Sequence, residues 1–262
     1  MTKPDITASA SVAKPAGERH LDLKAMTDAR VALGRFGSGL PTQAQLAFLL
    51  DHAKAREAVW SAIDPNGIES KIRALGLDVV EVESLASERS VYVRRPDLGR
   101  RLADPSRQML AALREARGTC EVVIIVADGL SSSAVEINAV PLVAALSARL
   151  AERGLTLAPI VVARQARVAL GDPVGEGLGA KVSIILIGER PGLSAADSLG
   201  GYVTYGPQTG TPDSRRNCIS NIREGGMPIA VAADAIAALV TDMLRTGISG
   251  VGLKDAKASL PN

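Results

Sequence analysis

The sequence predicts an α/β protein with a doubly wound, mainly parallel sheet, preceded by a smaller and mostly helical N-terminal region. From residue 106 onward, helical patterns alternate with short runs rich in β-branched residues. Those runs are continuously apolar, which is typical of strands covered by helices on both faces. The expected organisation is a flexible tail (1–20), a helical region (21–104) and a sheet domain (105–262).

The composition excludes several classes of protein. The 262 residues are 47% hydrophobic, enough to bury a sizeable core, and the formal net charge is only +2. That charge is too small to indicate nucleic-acid binding, and a content of 2% aromatic residues argues against a stacking platform for single strands. Cys120 and Cys218 have no zinc-like spacing, so a reduced, cytoplasmic setting is expected.

The first 20 residues, MTKPDITASASVAKPAGERH, contain no apolar stretch of the kind found in secretory signals. They also carry too little apolar surface to fold alone, so a mobile tail is predicted. A run of about 18 uncharged apolar residues is absent from the sequence, so no membrane-spanning helix is predicted.

Residues 21–104 contain two predicted helices and two predicted strands. PTQAQLAFLLDHAKAREAVW (41–60) begins with proline after a glycine-rich break and carries leucines at helical spacing. A shorter helix is predicted over 68–75, where Gly76 ends it. DVVEVES (78–84) and SVYVRR (90–95) alternate apolar and polar side chains, which predicts a short strand for each.

The sheet domain contains three predicted helices and three predicted buried strands. The helices cover 106–116, 134–153 and 229–245. The strands are CEVVIIVADG (120–129), LAPIVVA (157–163) and KVSIILIG (181–188). Parallel sheets bind ligands beyond the carboxyl ends of their strands, so the loops VADGLSSSA, ARQARVALGD and GERPG are expected side by side on one rim.

Each polar loop has more than one interpretation. The Ser/Gly loop after the first strand favours a helix N-cap, with an anion site as the alternative. It lacks the GxGxxG and GxxxxGK[ST] patterns of nucleotide-binding loops. One interpretation of Glu189 and Arg190 is a surface ion pair. In the other, the turn made by Pro191 and Gly192 aims the Glu189 carboxylate at N–H or O–H donors of a ligand.

The segment RRNCISNIREGG (215–226) is predicted to be a polar loop-to-helix junction around Cys218. A catalytic cysteine needs a base, but the only histidines, His20 and His52, lie far upstream. Cys218 is therefore expected to be a small, half-buried residue or a binding contact. The sequence also lacks HExxH and GxSxG, so it is typical of a binding subunit that completes an active site elsewhere.

Four stretches resemble the small subunit of ethanolamine ammonia-lyase, over residues 28–255. They are ARVALGRFGSGLPTQAQLAFLLDHAKAREAV, VADGLSSSAV, IGERPGLSAADSLGGYVTY and RNCISNIREGG. The resemblance implies a Rossmann-like domain in an adenosylcobalamin-dependent lyase that converts ethanolamine to acetaldehyde and ammonia. It implies a large TIM-barrel subunit that holds the substrate, a hetero-oligomer, and no catalytic residue in this chain.

The resemblance also implies corrinoid contacts at Val168 in ARVALGD, Glu189 in IGERPG and Cys218 in RNCIS. The Asp-x-His-x-x-Gly motif of base-off corrinoid proteins is absent, so no protein ligand to the metal is expected. A cytoplasmic location is expected, with a bacterial microcompartment left open. The alternatives are a stand-alone enzyme that uses Glu189 or Cys218, a nucleotide-binding oxidoreductase, and a non-catalytic cofactor-binding module.

Overall fold

The computed structural model describes residues 23–27 and 29–258. The predicted flexible tail, residues 1–20, lies outside the described residues. The chain divides into two compact units at Gln45/Leu46, and the sheet, the core and the cavities discussed below belong to the second unit. The predicted domain boundary at 104/105 stays a prediction.

The described helices are α1 (Leu23–Met26), α2 (Thr42–Trp60), α3 (Pro65–Ala74), α4 (Arg89–Arg94), α5 (Asp104–Arg117), α6 (Ser132–Ala151), α7 (Gly171–Leu178), α8 (Ile229–Thr246) and α9 (Leu253–Ala258). The described strands are β1 (Val79–Glu83), β2 (Val122–Ala127), β3 (Ile160–Arg164), β4 (Val182–Gly188), β5 (Leu199–Tyr205) and β6 (Arg216–Ile222). Short 3₁₀ turns cover Leu98–Arg100, Val168–Leu170, Asp213–Arg215 and Gly250–Gly252.

The six strands form one mixed sheet in the order β1-β3-β2-β4-β5-β6. The pairs β1/β3, β2/β3 and β2/β4 are parallel, whereas β4/β5 and β5/β6 are antiparallel. The predicted α/β class is confirmed, but the sheet is not parallel throughout. Residues 189–198 join β4 to β5 without the crossover helix that a parallel connection usually needs, so β5 runs opposite to its neighbours.

Both faces of the sheet are covered by helices. Successive strand residues point to opposite sides of the sheet, so neighbours in one strand pack against different helices. In β2, Ile124 belongs to the same apolar cluster as Leu142 of α6 and Ile236 of α8. Its neighbour Ile125 belongs to a second cluster with side chains of α5 and α7, such as Leu110. Every residue of β2 and β4 is buried, as the continuous apolar runs predicted.

Helix α6 is long and apolar enough, by length and composition alone, to span a membrane. Half of its apolar stretch is buried inside the protein, where Val135, Leu142 and Leu146 pack in the core. The core helix of a soluble protein meets the same criterion, so this helix is weak evidence for a membrane span.

The prediction of a strand over SVYVRR is wrong, because residues 89–94 form helix α4. The buried side chains are Arg89 and Tyr92, three residues apart on one helical face. The valines on which the strand prediction was based are therefore not the buried residues of this segment. The preceding strand prediction, over DVVEVES, is confirmed as β1, which is an edge strand of the sheet paired with β3.

The prediction of a loop-to-helix junction over 215–226 is also wrong, because residues 216–222 form edge strand β6. Most of its side chains are not buried, so β6 lacks the apolar run that marked the central strands. Strand β5 was missed because Gly200 and Gly201 weaken a strand signal. A Cβ at Gly201 would lie 2.9 Å from the Ile236 side chain, which explains the glycine there.

Helix α2 confirms the predicted helix, but its apolar face is not covered. Leu46, Leu49 and Leu50 are 61%, 52% and 56% exposed, and within α2 only Ala58 is buried. Before this helix, Phe36 and Gly39 exchange backbone hydrogen bonds of 3.0 and 3.1 Å, so the predicted glycine-rich break is a tight turn.

Alanine substitution at Gly129 tests how closely the loop after β2 packs against the end of β4. Gly129 and Gly154 both have positive φ, but a Cβ at Gly129 would lie 2.1 Å from the Gly188 oxygen, whereas Gly154 faces open space. Gly154→Ala should cost about 1–2 kcal/mol of unfolding free energy for its left-handed backbone. Gly129→Ala should cost a further 1–3 kcal/mol, roughly, for overpacking. Equal losses in denaturant unfolding would contradict this account.

Candidate functional site

The carboxylate of Asp128 joins the loops that follow β2 and β3. Asp128 is 2% exposed. Its oxygens accept hydrogen bonds from the backbone N–H groups of Gly129, Gln165 and Ala166 at 3.0, 3.0 and 2.9 Å. Arg89 adds a buried ion pair of 3.2 Å through Nη1. Burial raises the pKa of the Asp128 carboxyl, while these donors act in the opposite direction.

The loop after β2 also contacts the loop after β4. Ser131 is the N-cap of α6 and accepts from the Ala134 N–H at 3.1 Å, so the predicted helix cap is confirmed. The Ser131 hydroxyl donates to the Ala196 carbonyl at 2.6 Å. The Leu130 N–H donates to the Gly188 carbonyl at 2.8 Å. The three polar loops therefore share one rim, as predicted.

Tyr92 of α4 lies under this rim, between two arginines. Its side chain is fully buried, and its hydroxyl donates to the Ala166 carbonyl at 2.9 Å. The guanidinium carbons of Arg89 and Arg167 lie 4.7 and 4.2 Å from the ring centroid, within cation–π range. Burial raises the pKa of Tyr92 above its ordinary value, so the hydroxyl remains a donor well above neutral pH.

Glu189 is held in place through one of its two carboxylate oxygens. Oε2 accepts from the Ser198 hydroxyl at 2.5 Å and from the Asn221 N–H at 3.2 Å. A Cβ at Gly200 would lie 2.9 Å from Oε1, so this glycine makes room for the second oxygen. Within the described residues, Oε1 accepts no hydrogen bond and no ion pair joins Glu189 to Arg190. The surface-pair interpretation of these two residues is therefore not supported.

Cys218 lies on β6 directly opposite Tyr202 of β5. The residue is exposed, not half-buried as expected from the sequence. Burial of its thiol by the surrounding groups nevertheless raises the pKa of Cys218; the Tyr202 hydrogen bond lowers that pKa, and the charge of Glu189 raises it. No histidine in the described chain hydrogen-bonds to this thiol. Cys218 is therefore a poor thiolate at neutral pH.

A buried ion pair holds β6 against α7. Arg216 contacts Asp172 through two nitrogen–oxygen pairs of 2.5 and 2.8 Å, and these side chains are 4% and 2% exposed. Arg216 also donates to the Thr211 carbonyl at 2.6 Å and lies 3.2 Å from Asp213. The pair fixes the strand that carries Cys218. Removing one partner would leave a buried charge, which typically costs about 3–5 kcal/mol.

Two cavities bring the three predicted contact residues together. The first, 380 Å³, is lined by Val168 and Glu189, and the second, 450 Å³, by Val168 and Cys218. Arg167, Val168 and Tyr202 line both cavities, so the two share a wall. Larger cavities of 660 and 680 Å³ lie elsewhere, and none of the three predicted residues lines them. We name the pair that shares this wall the rim cavities.

Sequence reasoning missed several side chains of the rim cavities, among them Tyr92, Arg100, Arg167, Tyr202 and Asp213. Tyr92 was hidden by the wrong strand assignment, and Tyr202 lies on the unpredicted strand β5. Arg167 stands next to Val168 in the polar loop ARQARVALGD. The position of Arg167 beside a predicted contact residue was the available signal.

The fold and the rim cavities define a class: an α/β domain whose strand ends carry fixed polar groups around two cavities. The groups are held by hydrogen bonds to the scaffold, as binding groups need to be. In the described chain, none of them forms a nucleophile–base pair with a histidine.

Comparisons with known proteins identify the family. A sequence model of the ethanolamine ammonia-lyase light chain (EutC) matches residues 18–254. The ethanolamine ammonia-lyase small subunit of Pseudomonas syringae pv. tomato is 47% identical over 236 residues, covering 90% of this chain and 82% of the relative. That of Bradyrhizobium diazoefficiens is 49% identical over 239 residues, covering 91% of each. This chain belongs to the ethanolamine ammonia-lyase light-chain family, so the resemblance carried by the four motifs is confirmed.

The reactivity of Cys218 tests the electrostatics of the rim. A raised pKa leaves less thiolate at a given pH, so alkylation of Cys218 by iodoacetamide should have its midpoint at a higher pH than in the denatured chain. Cys120→Ser removes the other thiol from the measurement. Tyr202→Phe should raise the midpoint further, because it removes the hydrogen bond that lowers the pKa. A folded-state midpoint at or below that of the denatured chain would contradict this account.

Proposed function

We propose that this chain is the small subunit of an adenosylcobalamin-dependent ethanolamine ammonia-lyase, which converts ethanolamine to acetaldehyde and ammonia. Its Rossmann-like domain completes the cofactor site at the interface with the large subunit of a hetero-oligomer, and the catalytic residues belong to that partner. The observation that supports this most is the placement of Val168, Glu189 and Cys218 around the rim cavities.

The chemistry of the rim cavities suits the edge of a corrinoid. The corrin periphery carries amide side chains, which both donate and accept hydrogen bonds. Glu189 Oε1 is an acceptor without a donor in the described chain, beside the first cavity. Arg167 Nε is a buried donor without a partner in the described chain, and it suits an acceptor on the bound cofactor other than the corrin amides. Val168 and the Tyr202 ring supply apolar surface between these polar groups, so the residues present fit the cofactor.

Each residue of this chain then has a binding or orienting role. Glu189 accepts hydrogen bonds from corrin amides, Val168 excludes water from the contact, and Cys218 packs as a protonated thiol. When bound, adenosylcobalamin supplies radical chemistry by homolysis of its cobalt–carbon bond. The proposal assigns no cobalt ligand to this chain, and the described residues contain no group of three or more His, Cys, Asp or Glu side chains suited to a metal.

The proposed location is the cytoplasm, where both cysteines stay reduced. A bacterial microcompartment within the cytoplasm is a second proposed location. Two rival functions have less support. A stand-alone enzyme using Cys218 needs an activated thiolate, which the raised pKa opposes. An oxidoreductase needs a glycine-rich phosphate loop, whereas the loop after β2 caps α6.

Activity should require both subunits. We expect the purified chain to produce no acetaldehyde from ethanolamine and adenosylcobalamin, because its rim lacks a paired nucleophile and base in the described residues. Addition of the large subunit should restore turnover, and the large subunit alone serves as the control. Turnover by this chain alone would instead support the stand-alone enzyme.

Glu189→Gln should weaken cofactor binding while leaving the fold intact. Losing a charged acceptor should cost about 1.5–3 kcal/mol of corrinoid affinity in the reconstituted complex. The change is isosteric, and the Gln oxygen can still accept from the Ser198 hydroxyl and the Asn221 N–H, so the unfolding free energy should fall by only about 1 kcal/mol. Ser198→Ala is a matched variant that frees the same carboxylate without removing its charge, and it should cause a smaller loss of affinity. Unchanged affinity in Glu189→Gln would reject the assignment.

A further inference from the structure

The rim cavities carry more positive charge than their carboxylates balance. The charged side chains that line them are four arginines and two carboxylates: Arg100, Arg167, Arg190, Arg216, Glu189 and Asp213. Arg216 is already paired with Asp172 and Asp213. Neither Arg100 nor Arg167, which both line the second cavity, forms an ion pair in the described part of the chain. An uncompensated pair of arginines beside a cavity favours an anionic ligand.

Arg167 is fixed in position, and part of its guanidinium is left unused. Its Nη2 donates to the Tyr92 carbonyl at 3.2 Å, and its guanidinium carbon lies 4.2 Å from the Tyr92 ring centroid. These contacts orient the planar group. Its Nε, however, is buried and has no hydrogen-bond partner. A buried N–H without an acceptor costs stability, so the site gains when a ligand supplies one.

Arg100 is placed beside Arg167 by the backbone. The Arg167 N–H donates to the Gly99 carbonyl at 2.8 Å, which ties the 3₁₀ turn carrying Arg100 to the loop after β3. A Cβ at Gly99 would lie 3.0 Å from Arg167 Cγ, from the Gln165 carbonyl oxygen and from the Tyr92 ring, so glycine permits this close approach. The two arginines therefore reach the same cavity from two segments that are joined to each other.

We propose that Arg100 and Arg167 form a phosphate subsite for the phosphodiester in the nucleotide loop of the corrinoid. This inference rests on the proposed function and goes beyond its three contact residues. The peripheral side chains of the corrin are neutral amides, whereas the phosphodiester carries a negative charge. Arginine N–H groups form charge-assisted bonds to phosphate oxygens. The unpartnered Nε of Arg167 and the exposed guanidinium of Arg100 are the donors.

Cobinamide provides the decisive probe, since it keeps the corrin ring and its amides but lacks the phosphodiester and the terminal base. Dissociation constants of adenosylcobalamin and adenosylcobinamide are measured for complexes reconstituted with the large subunit. Arg100→Gln, at an exposed position, should weaken adenosylcobalamin binding about tenfold or more, as expected for lost bonds to a charged group. Its affinity for adenosylcobinamide should change less than about twofold.

Two further variants control for folding and for general charge. Arg167→Lys keeps the charge but loses the planar fork, and it should show the same selective loss for adenosylcobalamin. It also loses contacts with Tyr92 and should lower the melting temperature, but a folding defect alone would weaken both ligands equally. Arg153→Gln removes an exposed arginine just beyond the C-terminal end of α6, whose other end lies at the rim. It should alter neither dissociation constant.

The possible results separate this inference from the proposed function. Equal losses for both ligands, or no loss for either, in Arg100→Gln and Arg167→Lys would overturn the phosphate subsite. One more result would overturn the phosphate subsite: inorganic phosphate alone raises the melting temperature of the wild-type complex, while adenosylcobalamin affinity depends on neither arginine. The anion bound at the arginines would then be free phosphate. Glu189→Gln should weaken both ligands; if it weakens neither, the proposed function fails whatever the arginine variants show.

Discussion

The buried carboxylate of Asp128 is the constraint on which the rim depends. Three backbone N–H groups and one guanidinium converge on it from the loops after β2 and β3 and from α4. Without this acceptor, those donors would be buried without partners, which folded proteins avoid. The same contacts position Tyr92, since its hydroxyl bonds to Ala166, whose N–H bonds to Asp128. Arg167 and Val168 follow directly in the chain, so one charge sets the geometry of one side of the rim.

The other side of the rim depends on the reversal of chain direction at β5. Because β5 and β6 return beside β4, Glu189 at the end of β4 lies next to Ser198 and the Asn221 N–H. A wholly parallel sheet would have carried the chain away through a crossover helix. The antiparallel extension therefore supplies both the bonds that hold Glu189 and the strand that carries Cys218. The buried contact of Arg216 with Asp172 joins this extension to α7.

The sequence predicted the parallel strands of the sheet better than its antiparallel end, β5 and β6. Strands β2 and β4 were recognised because every residue in them is buried and all but Ser183 and Gly188 carry apolar side chains. Strand β6 has a mostly uncovered surface and no apolar run, and the buried residues of α4 include an arginine. At the rim, the strand-end rule located Glu189 and the loop with Val168. The roles of Tyr92 and Tyr202 depend on contacts between distant segments, which no local pattern records.

The uncovered face of α2 has a consequence for local stability along that helix. Its C-terminal turn is anchored, because Arg89 Nε donates to the Val59 carbonyl at 2.7 Å and Ala58 is 4% exposed. The turns that carry Leu46, Leu49 and Leu50 have no such cover, and helices owe most of their stability to packing. Opening free energy should therefore rise from the start of α2 to its end, with amide hydrogen exchange slowest near Val59. The first turns can unfold locally while the Arg89–Asp128 contact, and the rim above it, stay folded.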